Sequence, residues 1–215
     1  TPLSFKAGQY VELTLPLKKT DFRGNRRSFT IASSPTENDV LFGIKEPQPS
    51  SAFKSALAKL AASDVISANN LAGDFILPSD QKQKLVFIAG GIGVTPFRSM
   101  LKFLVDSKQQ RNITLFYCVS DPKQIVYKDV LQEAEAIGLK VVYVLTLPPK
   151  ISAPVSWKGE VGFLTKEDIA KHALDYPERR FYISGPDVMV QANKKLLRSM
   201  GVKHNNIKTD YFSGY

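Results

Sequence analysis
One stretch constrains this chain more than any other: Ala89-Gly90-Gly91-Ile92-Gly93-Val94-Thr95-Pro96. Ahead of it, Leu85-Val86-Phe87-Ile88 is an unbroken apolar run, the pattern of a strand buried on both faces. Behind it, Phe97, Met100, Leu101, Leu104 and Val105 recur on one helical face. Thr95 suits an N-cap, and Pro96 suits the first helical position, where a missing N–H costs nothing. The stretch predicts strand, glycine turn, helix. Glycines allow positive φ and the close approach of a ligand. A helix N-terminus offers free N–H groups and a positive dipole end to an anion. The spacing differs from the common G-x-G-x-x-G, so two readings stand side by side: a pyrophosphate seat for a dinucleotide, or a glycine turn that merely packs tightly.

The 215 residues are 43% apolar, enough for a real core and for one large or two small domains. No run approaches the ~20 apolar residues that span a bilayer, and no signal segment is visible at the start. Cys118 is the single cysteine. It excludes an intramolecular disulfide or a cysteine-ligated iron–sulfur cluster within this sequence. A reducing compartment is the simplest expectation: the cytoplasm, or the cytoplasmic face of a membrane as part of a larger chain. The net charge of +9 is uneven, with nine basic against eight acidic residues in 1–80 and twenty against twelve in 81–215. Such a balance suits an acidic partner, an anionic membrane surface or anionic cofactors. The basic residues are scattered, with no arginine-rich helix or aromatic-basic stripe, so nucleic acid is not expected as a partner.

Two architectures follow one another. In Gly8–Leu15, Val11, Leu13 and Leu15 share one face and Tyr10, Glu12 and Thr14 the other, a half-buried strand. Arg27–Ile31, Val40–Lys45, Val65–Ala68 and Phe75–Leu77 read as further strands, and Ser51 caps a helix with Phe53, Ala56, Leu57, Leu60 and Ala61 on its apolar face. Many short strands and one helix predict a small antiparallel β-barrel. The polar stretch Pro78–Lys84 is the expected boundary, dividing the chain into residues 1–80 and 81–215. Beyond it, strands at Leu85–Ala89, Ile113–Val119, Val141–Thr146, Phe181–Ser184 and Ile207–Phe212 alternate with helices at Pro96–Ser107, Val126–Ile137, Lys166–Leu174 and Val188–Met200. Thr165 with Asp168 resembles a capping box, and Gly138 and Gly201 sit where helices stop. Repeated β-α-β units imply a parallel sheet with helices on both faces.

Ligands of such sheets sit at the carboxyl ends of the strands. Those ends carry Gly90-Gly91-Ile92-Gly93, Cys118-Val119-Ser120 and Ser184-Gly185-Pro186. The first half has its own signal, Arg27-Ser28-Phe29-Thr30. There Arg27 suits a phosphate, Phe29 a flat ring and Thr30 a ring nitrogen. A surface arginine beside a core aromatic is the alternative. Ser50-Ser51-Ala52-Phe53 is a second anion seat or a plain N-cap, with Lys54 able to add charge. His172, His204 and Trp157 carry no expected role, and no metal site is expected.

These stretches, with Ala7-Gly8-Gln9-Tyr10, Tyr127-Lys128 and Met189, keep one order along nearly the whole chain and resemble the ferredoxin–NADP reductase superfamily of flavoprotein reductases. The resemblance implies an FAD-binding barrel at 1–80 and a NAD(P)-binding domain at 81–215. It also implies hydride transfer from NADH or NADPH to FAD, then single-electron release to an acceptor. By position it implies Arg27, Ser28, Phe29, Thr30, Lys45 and Ser50 to Phe53 as flavin contacts. Gly91, Gly93, Thr95, Pro96, Cys118, Ser120, Asp121, Gly185 and Pro186 stand for the nicotinamide nucleotide. Thr30, Ser184 and Phe212 are implied as catalytic, with Phe212 or Tyr215 covering the flavin face. Phe29 stands where many members have Tyr, Ser184 where many have Cys, and Asn70-Leu71-Ala72-Gly73 replaces the usual Gly-Pro-x-Gly. The usual first barrel strand before Phe5 is cut short, which suits a fragment of a longer chain. Asp121 would repel a 2′-phosphate, favouring NADH. An acidic redox protein, or a fused or membrane domain, is the expected acceptor. A flavin-binding relay module without efficient NAD(P)H oxidation of its own is the alternative.

Overall fold
The computed structural model describes residues 3–17, 20–46, 49–148 and 151–212. Strands β1 (Tyr10–Thr14), β2 (Arg26–Thr30) and β3 (Ser67–Ala72) form an antiparallel sheet in the order β2-β1-β3. β1 alternates as its sequence requires: Val11 and Leu13 point inward and pack with Leu15, Ile31 and Phe53 into a small core. Helix α1 (Ala52–Leu57) starts at Ser51, whose hydroxyl accepts from the Lys54 N–H at 3.2 Å.

Several expectations for this half are revised. Val40–Lys45 forms no strand; Phe42 alone pairs, in a single bridge to Ile31. Ser33 holds the segment instead, its hydroxyl accepting from Leu41 N at 3.0 Å. Gly43 then passes so near the other half that a Cβ there would lie 2.3 Å from the Tyr127 hydroxyl and 2.7 Å from Thr95 Oγ1. A segment committed to that contact is lost to the sheet. Phe75–Leu77 is not a strand either. The Phe75 ring is drawn into the second half's aromatic cluster, 5.2 Å from Tyr182 and 5.7 Å from Phe97. The helix expected to reach Ala61 stops at Leu57, and Asp64 turns the chain by accepting from the Ala61 N–H at 2.8 Å. β3 starts at Ser67 rather than Val65 and runs through Asn70, whose φ of 52° accompanies a register shift against β1.

The second half is a parallel sheet of β4 (Leu85–Gly90), β5 (Ile113–Val119), β6 (Leu139–Leu145), β7 (Glu160–Val161), β8 (Arg180–Pro186) and β9 (Ile207–Phe212), in the order β7-β6-β5-β4-β8-β9. Helices α2 (Thr95–Asp106), α3 (Lys128–Glu135), α4 (Lys166–His172) and α5 (Asp187–Ser199) cover it. β4 is buried throughout, which explains its unbroken apolar run. Leu85, Phe87 and Ala89 pack with residues of α2 and α3, and Val86 and Ile88 with residues of α4 and α5, so helices lie on both faces. Thr165 and Asp168 complete their capping box. β7, at two residues, is too short to carry a period in the sequence.

The chain lays down β4, moves outward through β5, β6 and β7, then returns beside β4 with β8 and β9. The order reverses between β4 and β8, which is where open α/β sheets bind ligands. A polar clasp joins the two halves. Arg98 on α2, 7% exposed, donates to Ala32 O at 3.1 Å and grips Glu37 with both terminal nitrogens. Ser99 Oγ donates to Ser33 O at 2.6 Å. Burial disfavours a charge on Glu37, but hydrogen bonds from Arg98 and Ser34 N outweigh it and hold the carboxyl below its ordinary range.

Candidate functional site: a cleft between two modules
At the switch point the glycines have separate jobs. Gly91 sits at φ 52° with open space where a Cβ would stand, so its need is conformational. Gly93 needs clearance: a Cβ would lie 2.3 Å from Ser184 O and 2.7 Å from Gly185 Cα. Gly90 is similar, with Met189 Sδ at 2.3 Å. The two strand ends singled out in sequence therefore meet through bare backbone. Thr95 is not an N-cap. A short 3-10 turn, Gly91–Val94, precedes α2, and Thr95 Oγ1 donates back to Ile92 O at 2.7 Å. Pro96 is thus the second residue of α2.

Ser184 is fully buried, and its Oγ has no hydrogen-bond partner among the described residues; the same holds for Ser50 Oγ. A buried hydroxyl without a partner is costly, and both stand where a cofactor is expected. Ser120 is exposed, and Asp121 caps the 3-10 turn Pro122–Gln124 by accepting from Lys123 N at 2.8 Å. Burial, and then Asp168, pushes the Cys118 thiol up to about 12, an unreactive packing residue. Phe212 ends β9 opposite Pro186; its side chain and Tyr215 lie outside the described residues.

A cleft of about 780 Å³ lies between the halves. Of the expected residues, Arg27, Ser28, Phe29, Thr30, Lys45, Ser51 and Thr95 line it, joined by Ile92 and by Thr209, Asp210 and Tyr211 of β9. β2 is an edge strand, and the cleft is lined by consecutive residues Arg26–Thr30 from both of its faces. Phe29 also belongs to the small core, stacked on Phe53 at 5.9 Å and edge-on to Phe42 at 6.3 Å. Phe53 itself is fully buried.

The cleft is cationic. Arg23, Arg26, Arg27, Lys45 and Lys54 line it, against Glu12 and Asp210. Arg27 Nη1 donates to Arg23 O at 2.7 Å and Arg26 O at 2.6 Å, Nη2 reaches Asp21 at 3.1 Å, and the guanidinium lies 5.3 Å over the Phe53 ring. Lys54 Nζ donates to Lys45 O at 2.7 Å. Burial lowers the Lys54 pKa, and Arg23, Arg27 and Lys45 add repulsion that Glu46 opposes. Five cations against two carboxylates make a site that favours a multiply charged anion. That donor set fits a pyrophosphate.

Asp210, two residues before Phe212, joins the cleft as a titrating group that the sequence analysis did not single out. It is half-buried in the cleft; burial first, and then Asp74, pushes its carboxyl up to about 6. A carboxyl raised above its unfolded value of about 3.9 favours the native state when protonated. That contribution is full below about pH 4 and is lost as pH rises through about 6. Asp210→Asn should therefore gain on the order of 1–3 kcal/mol over the parent between about pH 4 and pH 7, read from urea midpoints at both values. An offset that is the same at both pH values would show that Asp210 does not titrate there.

A parallel sheet with a glycine turn at its switch point, whose Ile92 and Thr95 share a cationic cleft with an antiparallel module, is the architecture of a two-module ligand-binding protein. Residues 87–195 match the family model described as oxidoreductase NAD-binding domain. The chain belongs to that family and, with it, to the ferredoxin–NADP reductase superfamily. It is 28% identical over 210 residues to NADH-cytochrome b5 reductase 1 of Ajellomyces capsulatus, covering 94% of this chain and 66% of that protein. It is 30% identical over 194 residues to the reductase component of phenol 2-monooxygenase from Pseudomonas sp. (strain CF600), covering 89% and 53%. The solved cytochrome P450 reductase of Amycolatopsis is similar at a TM-score of 0.78 and 26% identity, over 99% of this chain and 62% of that one. The chain thus spans about half to two thirds of the length of such relatives. Among the described residues no helix is long and apolar enough to cross a membrane.

Proposed function
We propose that this chain is the FAD- and NAD(P)H-binding part of a flavoprotein reductase, with residues 1–80 holding the flavin and 81–215 the nicotinamide nucleotide. The observation that carries this reading is the single cleft that Arg27–Thr30 share with Ile92, Thr95 and Asp210. Bound FAD supplies the capacity to accept a hydride from NAD(P)H and to release electrons one at a time. Arg27 and Lys54 hold the pyrophosphate. Phe29 packs beside the ring, and Ser28 and Thr30 give it hydrogen bonds. Gly93 and Gly185 bring the glycine turn and the end of β8 together through bare backbone, which shapes the proposed nicotinamide-nucleotide seat. Asp210, its carboxyl pushed up to about 6 by burial and then Asp74, lines the same cleft. Orientation of two bound rings by such walls is worth several kcal/mol in favourable cases.

NADH is favoured over NADPH. The Asp121 carboxylate stands just past the carboxyl end of β5, where it would repel a 2′-phosphate, and one relative is an NADH-cytochrome b5 reductase. The acceptor is an acidic redox protein or a fused or membrane domain, in keeping with the basic second half. The setting is cytoplasmic.

The test is anaerobic mixing of FAD-loaded protein with each nucleotide in a stopped-flow spectrometer. Yellow protein that bleaches with NADH, and more slowly with NADPH, is the expected result. Protein that ignores added FAD ends the proposal. Protein that binds FAD but is bleached by neither nucleotide reduces it to an electron relay.

A further inference from the structure
A second cavity, of about 590 Å³, shares no lining residue with the cleft. β9 separates the two: Lys208 lines one, and Thr209 to Tyr211 line the other. This volume falls in the roughly 300–1,000 Å³ range of small-molecule sites. Its apolar wall comes from Phe5 and Leu77 of the first half and Phe103 and Tyr182 of the second, and Pro78, Ser79 and Gln81 of the connecting segment also line it.

Its charge is one-sided. Lys6, Arg111, Arg180 and Lys208 line it, and no Asp or Glu does. Elsewhere buried guanidiniums meet carboxylates, as Arg98 meets Glu37 and Arg179 meets Asp175. Here the contacts are to neutral groups. Arg111, 6% exposed, donates to Asp80 O at 2.6 Å and Pro78 O at 3.2 Å, and Lys208 Nζ donates to Asp74 O. The Nε atoms of Arg111 and Arg180 are both buried without a hydrogen-bond partner among the described residues. Four cations on a lining that holds no carboxylate, with the Asp80 carboxylate acting on Arg111 from outside it, stand around an apolar wall and complement a small molecule that is anionic at one end and apolar along the rest.

We propose that this cavity binds a small amphipathic carboxylate, its apolar body against Phe5, Leu77, Phe103 and Tyr182 and its charge between Arg180, Lys208 and Lys6. A guanidinium fork matches a carboxylate in two hydrogen bonds, and lysines add point charges. The wall is drawn from both halves, so occupancy favours the relative placement that the Arg98 clasp also holds.

The test is isothermal titration of the FAD-loaded protein with octanoate, 1-octanol and acetate. Octanoate should bind at a single saturable site, at least tenfold tighter than octanol, which lacks the charge, or acetate, which lacks the body. The double variant Lys6→Gln with Lys208→Gln, two surface changes, should weaken octanoate at least tenfold. Arg180→Gln should do the same. Flavin content, read in the same samples, should stay unchanged in each. No saturable octanoate binding, octanol or acetate binding as tightly, or variants that bind octanoate like the parent would each overturn the proposal.

Discussion
Gly93→Ala should leave the flavin module loaded but largely abolish reduction by NADH. The added methyl would stand 2.3 Å from the Ser184 carbonyl oxygen and 2.7 Å from Gly185 Cα. Both obstacles are backbone of β8, which is paired on one side to β4 and on the other to β9. Neither can swing aside as a side chain would, so the β8 end or the start of α2 must move. Overpacking of a closed interior costs roughly 1–3 kcal/mol, and this contact belongs at the upper end. The displaced atoms are the proposed nucleotide seat, so NADH affinity should fall with stability. Gly91→Ala is the control: it meets open space and pays only for its φ of 52°, about 1–2 kcal/mol. Denaturation midpoints and NADH titrations of the two variants should separate widely. Equal behaviour would mean that the turn is not held against β8.

Arg27→Ala should lose FAD. A charge-assisted hydrogen bond to an ionised group is worth roughly 1.5–3 kcal/mol, so flavin affinity should drop by about tenfold to a hundredfold or more. The same guanidinium organises the loop before β2 through Arg23 O, Arg26 O and Asp21. Arg27→Lys keeps charge without that fork and should recover only part of the affinity. Circular dichroism must show the fold intact, and the flavin dissociation constant decides. An Arg27→Ala protein that holds flavin as tightly as the parent would refute the phosphate role.

Legibility differed between the halves for a physical reason. The parallel sheet and its helices were readable because their periods are local: Leu85–Ile88 announces a doubly buried strand, and Phe97, Met100, Leu101 and Leu104 announce a helix face. The antiparallel module was read less well. Val40–Lys45 and Phe75–Leu77 have strand-like composition, yet each is taken by contacts with the other half, Gly43 against Thr95 and Phe75 against Tyr182. Propensity cannot register a competitor about 50 to 110 residues away. Thr95 has the residue type of a cap, but the 3-10 turn before it, which leaves no mark in residue type, puts Val94 at the N-cap. Asp210 was passed over because its raised pKa comes from burial and Asp74, which only packing creates.

Sequence alone determined the two kinds of module, their order and the chemistry of their short motifs, since these depend on side-chain period, glycine placement and charge within a few residues. Tertiary structure decided that Arg27–Thr30, Ile92, Thr95 and Thr209–Tyr211 face one cleft. That meeting rests on a strand order that reverses at β4 and on a clasp between Arg98 and Glu37, contacts between residues far apart in the chain.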